Sequence, residues 1–218
     1  MNAQTATRLP LPAGLRSARV VAGVAVVALL AAMALDTTVV KIGSENDVRS
    51  AGFSPEQFAR REFPKVKESI ESRAVPATTL AAAIEADKAA AGQEYGVPAS
   101  IGSIFPVSFT GVAGEGSSGI HTVAVEGLPN DLVIRVQTGP AINGTALRDS
   151  TGAYSFGDFT NQIEYQNAGA ALNEEMKREV LSQVDISDLE GETVSVTGVF
   201  QLINPQNWLV TPVGLEVQ

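Results

Sequence analysis

The amino-acid sequence predicts an α+β fold with an N-terminal membrane helix, a helical hairpin and a five-stranded β-barrel. Three observations predict it. Residues 20–35 form a run of sixteen residues without a polar side chain. Apolar residues then recur at helical spacing between residues 58 and 84, and apolar and polar residues alternate after residue 104. A second stretch of helical spacing, residues 161–184, interrupts that alternation.

The apolar run has the layout of an export signal. Arginine is the only charged residue type before Asp36, so the first 35 residues carry +3 and the rest of the chain carries −12. This polarity predicts a cytoplasmic N-terminus and a periplasmic body. Because sixteen apolar residues are fewer than the roughly 20 that span a bilayer comfortably, two outcomes stay open. The segment is either cleaved near Ala34, which releases the protein to the periplasm, or retained as an inner-membrane anchor.

Two helices are predicted after a short β-like segment at residues 37–42. Ser54, Pro55 and Gln57 have the spacing of a capped helix start. Pro64 is expected to kink or restart this helix, because proline lacks the N–H donor that a helix interior needs. Pro76 opens a second helix, and a hairpin is the simplest arrangement of the two. Residues 91–103 are typical of a linker.

Five strands are predicted in the remainder of the chain. Three alternating segments around Val107, Val123 and Ile134 form an antiparallel meander, and two more follow the helix of residues 161–184. Three strands, a helix and two strands is the element order of an OB-fold, a Greek-key barrel. An open antiparallel sheet covered by the helix is the alternative. The predicted divisions are therefore residues 1–35 (signal or anchor), 36–100 (linker and hairpin) and 101–218 (OB-like barrel).

The composition excludes several classes of chemistry. The chain has no cysteine and one histidine, so thiolate catalysis, disulfides and multi-histidine metal centres are excluded. No cofactor or metal is expected. The charge of −12 after residue 35 and the 6% aromatic content oppose nucleic-acid binding, which needs basic grooves and stacking rings.

One polar patch is a candidate ligand site, since it combines charged, amide and aromatic side chains with glycines. Its members are Thr145, Arg148, Asp149, Asp158, Asn161, Gln162 and Glu164. The competing interpretation is structural: Arg148 pairs with Asp149, Asp158 or Thr160 caps the next helix, and the amides satisfy loop backbone. No nucleophile and base are visible together, so no catalytic residue is predicted.

Three segments resemble the DUF2291 family of bacterial proteins. They are GTALRD (residues 144–149), FGDFTNQIEYQNAGAALN (residues 156–173) and the C-terminal residues 196–218. The resemblance implies a periplasmic lipoprotein of unassigned activity and, from the usual neighbours of the family's genes, a link to sugar-type ABC transporters. Members carry a lipidated cysteine before a TVVK-like segment, where this chain reads Ala34-Leu35-Asp36. Without that thiol, the apolar segment is the expected tether.

The leading functional hypothesis is a non-enzymatic, membrane-tethered periplasmic accessory or binding protein. Its expected partners are the inner membrane and either ABC transporter components or a small polar solute. One alternative is an envelope enzyme that uses the polar patch of residues 148–164. Oligonucleotide binding by the barrel is the other, and it rests on fold analogy alone.

Overall fold

The structure is a computed structural model that describes residues 13–36 and 52–218, with side chains from Val20 onward in the first range. It contains two compact units, Met1–Gly52 and Phe53–Gln218. In the first unit, helix α1 spans Ala13–Asp36, and its apolar side chains from Val20 to Leu35 are exposed. Within the described ranges, no helix is both long and apolar enough to cross a membrane. The β-like segment of residues 37–42 lies outside the described residues.

The second unit contains five further helices and seven strands, together with three short 3₁₀ helices. The predicted order is confirmed: three strands (Ser103–Ser117, Ile120–Ala124 and Val133–Gln137) precede the helix Gln162–Glu179, and two strands (Thr193–Gln201 and Asn207–Val217) follow it. In chain order the elements are α2 (Pro55–Arg73), β1 (Val75–Pro76), α3 (Ala77–Ala86), α4 (Lys88–Glu94), β2 (Val97–Pro98), β3 (Ser103–Ser117), β4 (Ile120–Ala124), β5 (Val133–Gln137), α5 (Ala146–Asp149), α6 (Gln162–Glu179), β6 (Thr193–Gln201) and β7 (Asn207–Val217), with 3₁₀ turns at Phe156–Asp158, Leu181–Gln183 and Ile186–Asp188.

Helix α2 begins where the sequence predicts it. The Ser54 hydroxyl accepts a hydrogen bond from the Gln57 amide at 3.4 Å, and Pro55 is the first helical residue. The expected restart at Pro64 is wrong, because a single helix continues through it. Buried Phe63 and Val66 on either side hold the helix against the rest of the unit, which offsets the one hydrogen bond that proline cannot donate.

The predicted helical hairpin is also wrong in its pairing. Helix α2 packs mainly against α6, whereas α3 packs mainly against α4 and the strands around it. The reason lies in β1, the two-residue strand between α2 and α3, which pairs in parallel with Val107 and Ser108 of β3. That pairing directs the chain onto the sheet at the point where a hairpin would turn back along α2.

The five long strands form a closed circuit of hydrogen-bonded pairs. The order is β3–β4–β5–β7–β6, and β6 pairs with β3 again. All these pairs are antiparallel except β5 with β7. Such closure leaves no long strand with a wholly unpaired edge. Strands β1 and β2 add to the other side of the first half of β3.

The core lies inside this circuit and under α2 and α6. Trp208 is fully buried and stacks on Phe200 with ring centroids 4.3 Å apart, and Phe200 stacks in turn on Phe105 at 5.7 Å. The helical spacing predicted for residues 161–184 is confirmed in α6, which ends at Glu179, since Leu172 and Met176 are both buried. Apolar burial on this scale is the main source of the unit's stability.

Gly198 allows β6 and β7 to approach each other at a bulge, where the register shifts between Thr197 and Gly198. A Cβ atom at Gly198 would lie 2.5 Å from the Thr211 carbonyl oxygen. At Gly214, on the same strand pair, the nearest atom to an added Cβ is the Thr197 Cβ at 3.9 Å. The two glycines therefore form a matched pair for testing the closure.

We predict that Gly198→Ala lowers the free energy of unfolding by about 1–3 kcal/mol, because a methyl group there must displace backbone. Gly214→Ala should leave it unchanged or raise it slightly, since the added methyl has room and the unfolded chain loses entropy. Urea unfolding followed by circular dichroism measures both. Equal effects of the two substitutions would contradict the close approach at Gly198.

Candidate functional site

The polar patch lies between the end of β5 and the start of α6. Helix α5 is a single turn that carries Arg148 and Asp149, and Thr145 immediately precedes it. The 3₁₀ turn Phe156–Asp158 and the first turn of α6 supply the other four predicted residues. The chain therefore brings both halves of the patch to the same end of α6.

Arg148 and Asp149 form a two-pronged ion pair. The Nε and Nη2 groups of Arg148 donate to the two carboxylate oxygens of Asp149 at 2.6 and 2.9 Å. The Thr145 hydroxyl donates to the same carboxylate at 2.7 Å. Arg148 is only 5% exposed, so its charge depends on Asp149 for compensation.

Tyr165 of α6 completes this arrangement. Arg148 Nη1 donates to the Tyr165 carbonyl oxygen at 2.8 Å, and its guanidinium carbon lies 3.5 Å from the centre of the tyrosine ring. Burial and the Asp149 charge raise the pKa of Tyr165, while Arg148 opposes the shift. Arg148 is therefore bound on three sides and joins α5 to α6.

The remaining predicted residues lie on the outside of this pair. Asp158 accepts hydrogen bonds from the Ser155 amide and hydroxyl at 2.7 and 2.8 Å, which lower the pKa of Asp158. Asn161 caps α6 by accepting from the Glu164 amide at 3.0 Å. The Glu164 carboxylate accepts from the Thr160 amide at 3.0 Å, while Gln162 is exposed. The cap of α6 is thus Asn161, whereas the sequence had suggested Asp158 or Thr160.

Of the seven predicted residues, Thr145, Arg148 and Asp149 share one hydrogen-bonded cluster. Three others, Asp158, Asn161 and Glu164, accept hydrogen bonds from backbone amides around the start of α6. The structural interpretation accounts for these contacts, and ligand binding by the seven residues stays a prediction.

Three buried polar residues that support the patch, Gln137, Asn173 and Thr211, were not predicted. Gln137, at the end of β5, accepts from the Asn143 amide at 2.7 Å and donates to the Thr211 hydroxyl at 2.8 Å. Asn173 donates to the Gly144 carbonyl oxygen at 2.9 Å. These contacts fix the loop before α5. The available signal was a polar residue at a core position, since Asn173 adjoins buried Leu172 on α6.

A row of six aromatic rings, which we call the aromatic row, runs beside the patch. Neighbouring centroids are 5.3–5.9 Å apart, mostly in tilted or edge-to-face contact. Its members are Phe53, Phe58, Tyr154, Phe156, Phe159 and Tyr165. Phe156 at one end is 56% exposed, and nearby in sequence Ile163 is 69% exposed. The patch thus has an apolar outer edge that the spacing of polar residues did not reveal.

A buried carboxylate, Glu62, lies at the other end of the aromatic row. Glu62 is 8% exposed and accepts from Arg61 at 2.6 Å and from Lys65 and the Tyr154 hydroxyl at 3.0 Å. Burial raises the pKa of Glu62, but these three hydrogen bonds outweigh it and leave the pKa below its usual value. Burial and Glu62 together raise the pKa of Tyr154.

The site offers little that could hold a metal. In residues 20–36 and 52–218 there is no group of three or more histidine, aspartate or glutamate side chains placed to bind an ion. The histidine, His121, has its Nδ1 2.8 Å from the Thr138 hydroxyl. Across those same residues every buried side-chain nitrogen and oxygen has a hydrogen-bond partner. The chemistry of the patch is therefore that of charge pairing and helix capping.

Comparison with known proteins gives one family and one solved structure. The family model described as "Predicted periplasmic lipoprotein (DUF2291)" matches residues 24–216. The crystal structure of an OB-fold protein from Thermotoga maritima is similar with a TM-score of 0.61 and 20% sequence identity, over 77% of this chain and 99% of that chain. At this identity the likeness concerns the fold alone. None of the curated proteins matches the sequence.

We predict that Asp149→Ala lowers the free energy of unfolding by about 3–5 kcal/mol, because it leaves a buried guanidinium without its carboxylate. Asp158→Ala removes only the exposed hydrogen bonds from Ser155 at the 3₁₀ turn and should cost clearly less. Urea unfolding followed by Trp208 fluorescence compares them. If the two variants were equally stable, Asp149 would not be the group that compensates the buried charge of Arg148.

The free energy of unfolding should also decrease at acidic pH, because the carboxyl group of Glu62 becomes protonated. Its native pKa lies below the usual value of 4.5, so the folded state binds fewer protons at Glu62 than the unfolded state does. The stability from Glu62 is full above about pH 4.5 and is lost as pH falls through the lower native pKa. Glu175, whose pKa is lowered by its hydrogen bond from Arg178 and raised in part by burial, contributes in the same direction.

The measurement is the urea midpoint at pH 7 and at pH 3.5. Glu62→Gln should show a smaller loss between the two than the wild type, although it starts from lower stability at pH 7. Glu68→Gln, at an exposed position of the same helix, serves as the control and should keep the wild-type loss. An unchanged loss in Glu62→Gln would contradict the assignment to this carboxyl group.

Proposed function

Because the chain belongs to the DUF2291 family of predicted periplasmic lipoproteins, we propose that it is a non-enzymatic accessory or binding module on the periplasmic side of the cell envelope. The observation that carries the proposal is the state of Arg148. It is the cation of the polar patch, and its donors are committed to Asp149 and Tyr165. A group held in this way supports a rigid surface better than it supports turnover of a substrate.

The exposed edge of the same site supports contact with another protein. Phe156 and Ile163 present apolar surface beside Gln162 and Asp158, all at the start of α6. Exposed apolar groups next to polar ones are typical of protein interfaces. We propose a component of a sugar-type ABC transporter as the partner, with a small polar solute at the patch as the second candidate.

The charge arrangement supports export of the body of the chain. The N-terminal arginines precede sixteen apolar residues, and the acidic residues all follow them. We propose that this segment delivers the protein to the inner membrane and retains it there. N-terminal sequencing of protein from the membrane and soluble fractions tests retention, since a soluble form that begins at Leu35 would show cleavage instead.

The partner is tested by crosslinking the tagged full chain in its own cells and identifying co-purified proteins by mass spectrometry. We expect transporter components to co-purify with the wild type. Ile163→Ser should reduce their recovery about tenfold, since burial of such a side chain contributes about 1.5–3 kcal/mol. Ile203→Ser, at a 67% exposed position in the loop between β6 and β7, is the matched control.

Calorimetry with a panel of sugars tests the solute in the same preparation. Binding that Asp149→Asn weakens would favour the patch as a solute site. Absence of both transporter components and sugar binding would overturn the proposal.

A further inference from the structure

A cavity of about 570 Å³ lies apart from the polar patch, between α4, the β2 region and the start of β3. Its volume falls within the roughly 300–1,000 Å³ typical of small-molecule sites. It is open to solvent on one side. The lining residues are Lys88, Ala89, Gly92, Gln93, Gly96 and, from the strands and loops, Pro98, Gly102, Ser103, Phe105 and Leu202.

The cavity has an apolar floor, and glycines form part of its wall. Phe105 and Leu202 are buried and form the floor. Gly92 and Gly96 face Ser103, and a Cβ atom on either would lie within 2.9 Å of a Ser103 side-chain atom. Gly92 lets α4 lie close to β3, Gly96 does the same for the turn after α4, and neither adds a side chain to the wall.

Polar groups without protein partners surround this floor. Lys88 is the charged side chain of the lining. In the described part of the chain, the side chains of Lys88, Gln93 and Ser103 make no hydrogen bond or ion pair with other residues. An ammonium, an amide and a hydroxyl beside an apolar floor supply donors for one anionic group and contact area for an apolar body.

We propose that this cavity binds a small organic monocarboxylate with an apolar body. The body packs on Phe105 and Leu202, and the carboxylate lies at Lys88 with Gln93 and Ser103 as further donors. A single cation matches a single negative charge, which disfavours polyanions such as nucleotides. The proposal does not depend on the docking edge at Ile163, because the two sites share no residue.

The probe is 4-phenylbutyrate, added to the full chain labelled with ¹⁵N-glycine and held in phosphatidylcholine nanodiscs. The chain has 20 glycines, of which Gly92, Gly96 and Gly102 line the cavity. We expect saturable shifts of these three amide signals. Acetate, which lacks the body, and 4-phenylbutylamine, which has the opposite charge, should not produce them.

Three substitutions locate the site. Ala89→Leu fills the cavity from an exposed helical position and should abolish the saturable shifts, whereas Ala90→Leu, the exposed neighbour outside the lining, should keep them. Lys88→Gln should weaken binding about two- to fivefold, as for an exposed ion pair. Shifts that do not saturate, that 4-phenylbutylamine reproduces, or that persist in Ala89→Leu would overturn the proposal.

Discussion

The double pairing of β3 is the constraint on which the rest of the structure depends. This fifteen-residue strand pairs with β6 along residues 104–112 and with β4 beyond residue 112, and it accepts β1 and β2 on its other side. Closure of the strand circuit therefore also positions α3 and α4, which flank those two short strands. The close approach at Gly198 belongs to the same constraint, because β6 must bend to reach both β3 and β7.

Three helices of the second unit each carry a charge pair that is buried at one partner. Glu62 on α2, Asp149 on α5 and Glu175 on α6 each have a cation within 3 Å. A half-buried carboxylate costs desolvation energy unless it is paired, so each pair ties its surroundings to one geometry. The tie at Arg148 is the most extensive, since it reaches both the backbone and the ring of Tyr165.

The sequence predicts local structure well here and long-range pairing poorly. The structure confirms three local patterns: the alternation around Val107 and Ile134, the helical spacing of α6 and the Ser54 cap. The Tyr154–Glu62 hydrogen bond joins residues 92 positions apart, and no spacing rule reaches that far. Hairpin pairing of α2 failed for the same reason, because the partner of its apolar face lies on α6. Within the site, adjacency predicted Arg148 with Asp149 but not the contact with Tyr165.

Lys88, at the cavity, differs from most lysines and arginines of the second unit because it has no carboxylate partner among the described residues. Six of the ten lysines and arginines of residues 52–218 form ion pairs with carboxylates: Arg61, Lys65, Lys67, Arg148, Lys177 and Arg178. Arg73 and Arg135 donate hydrogen bonds to neutral oxygens, and the charge of Arg60 helps to lower the pKa of Glu175. In an acidic chain, a carboxylate partner within the protein is readily available, and Lys88 makes no such pair among the described residues. An ammonium left unpaired beside an apolar floor is therefore available to a carboxylate from outside the chain.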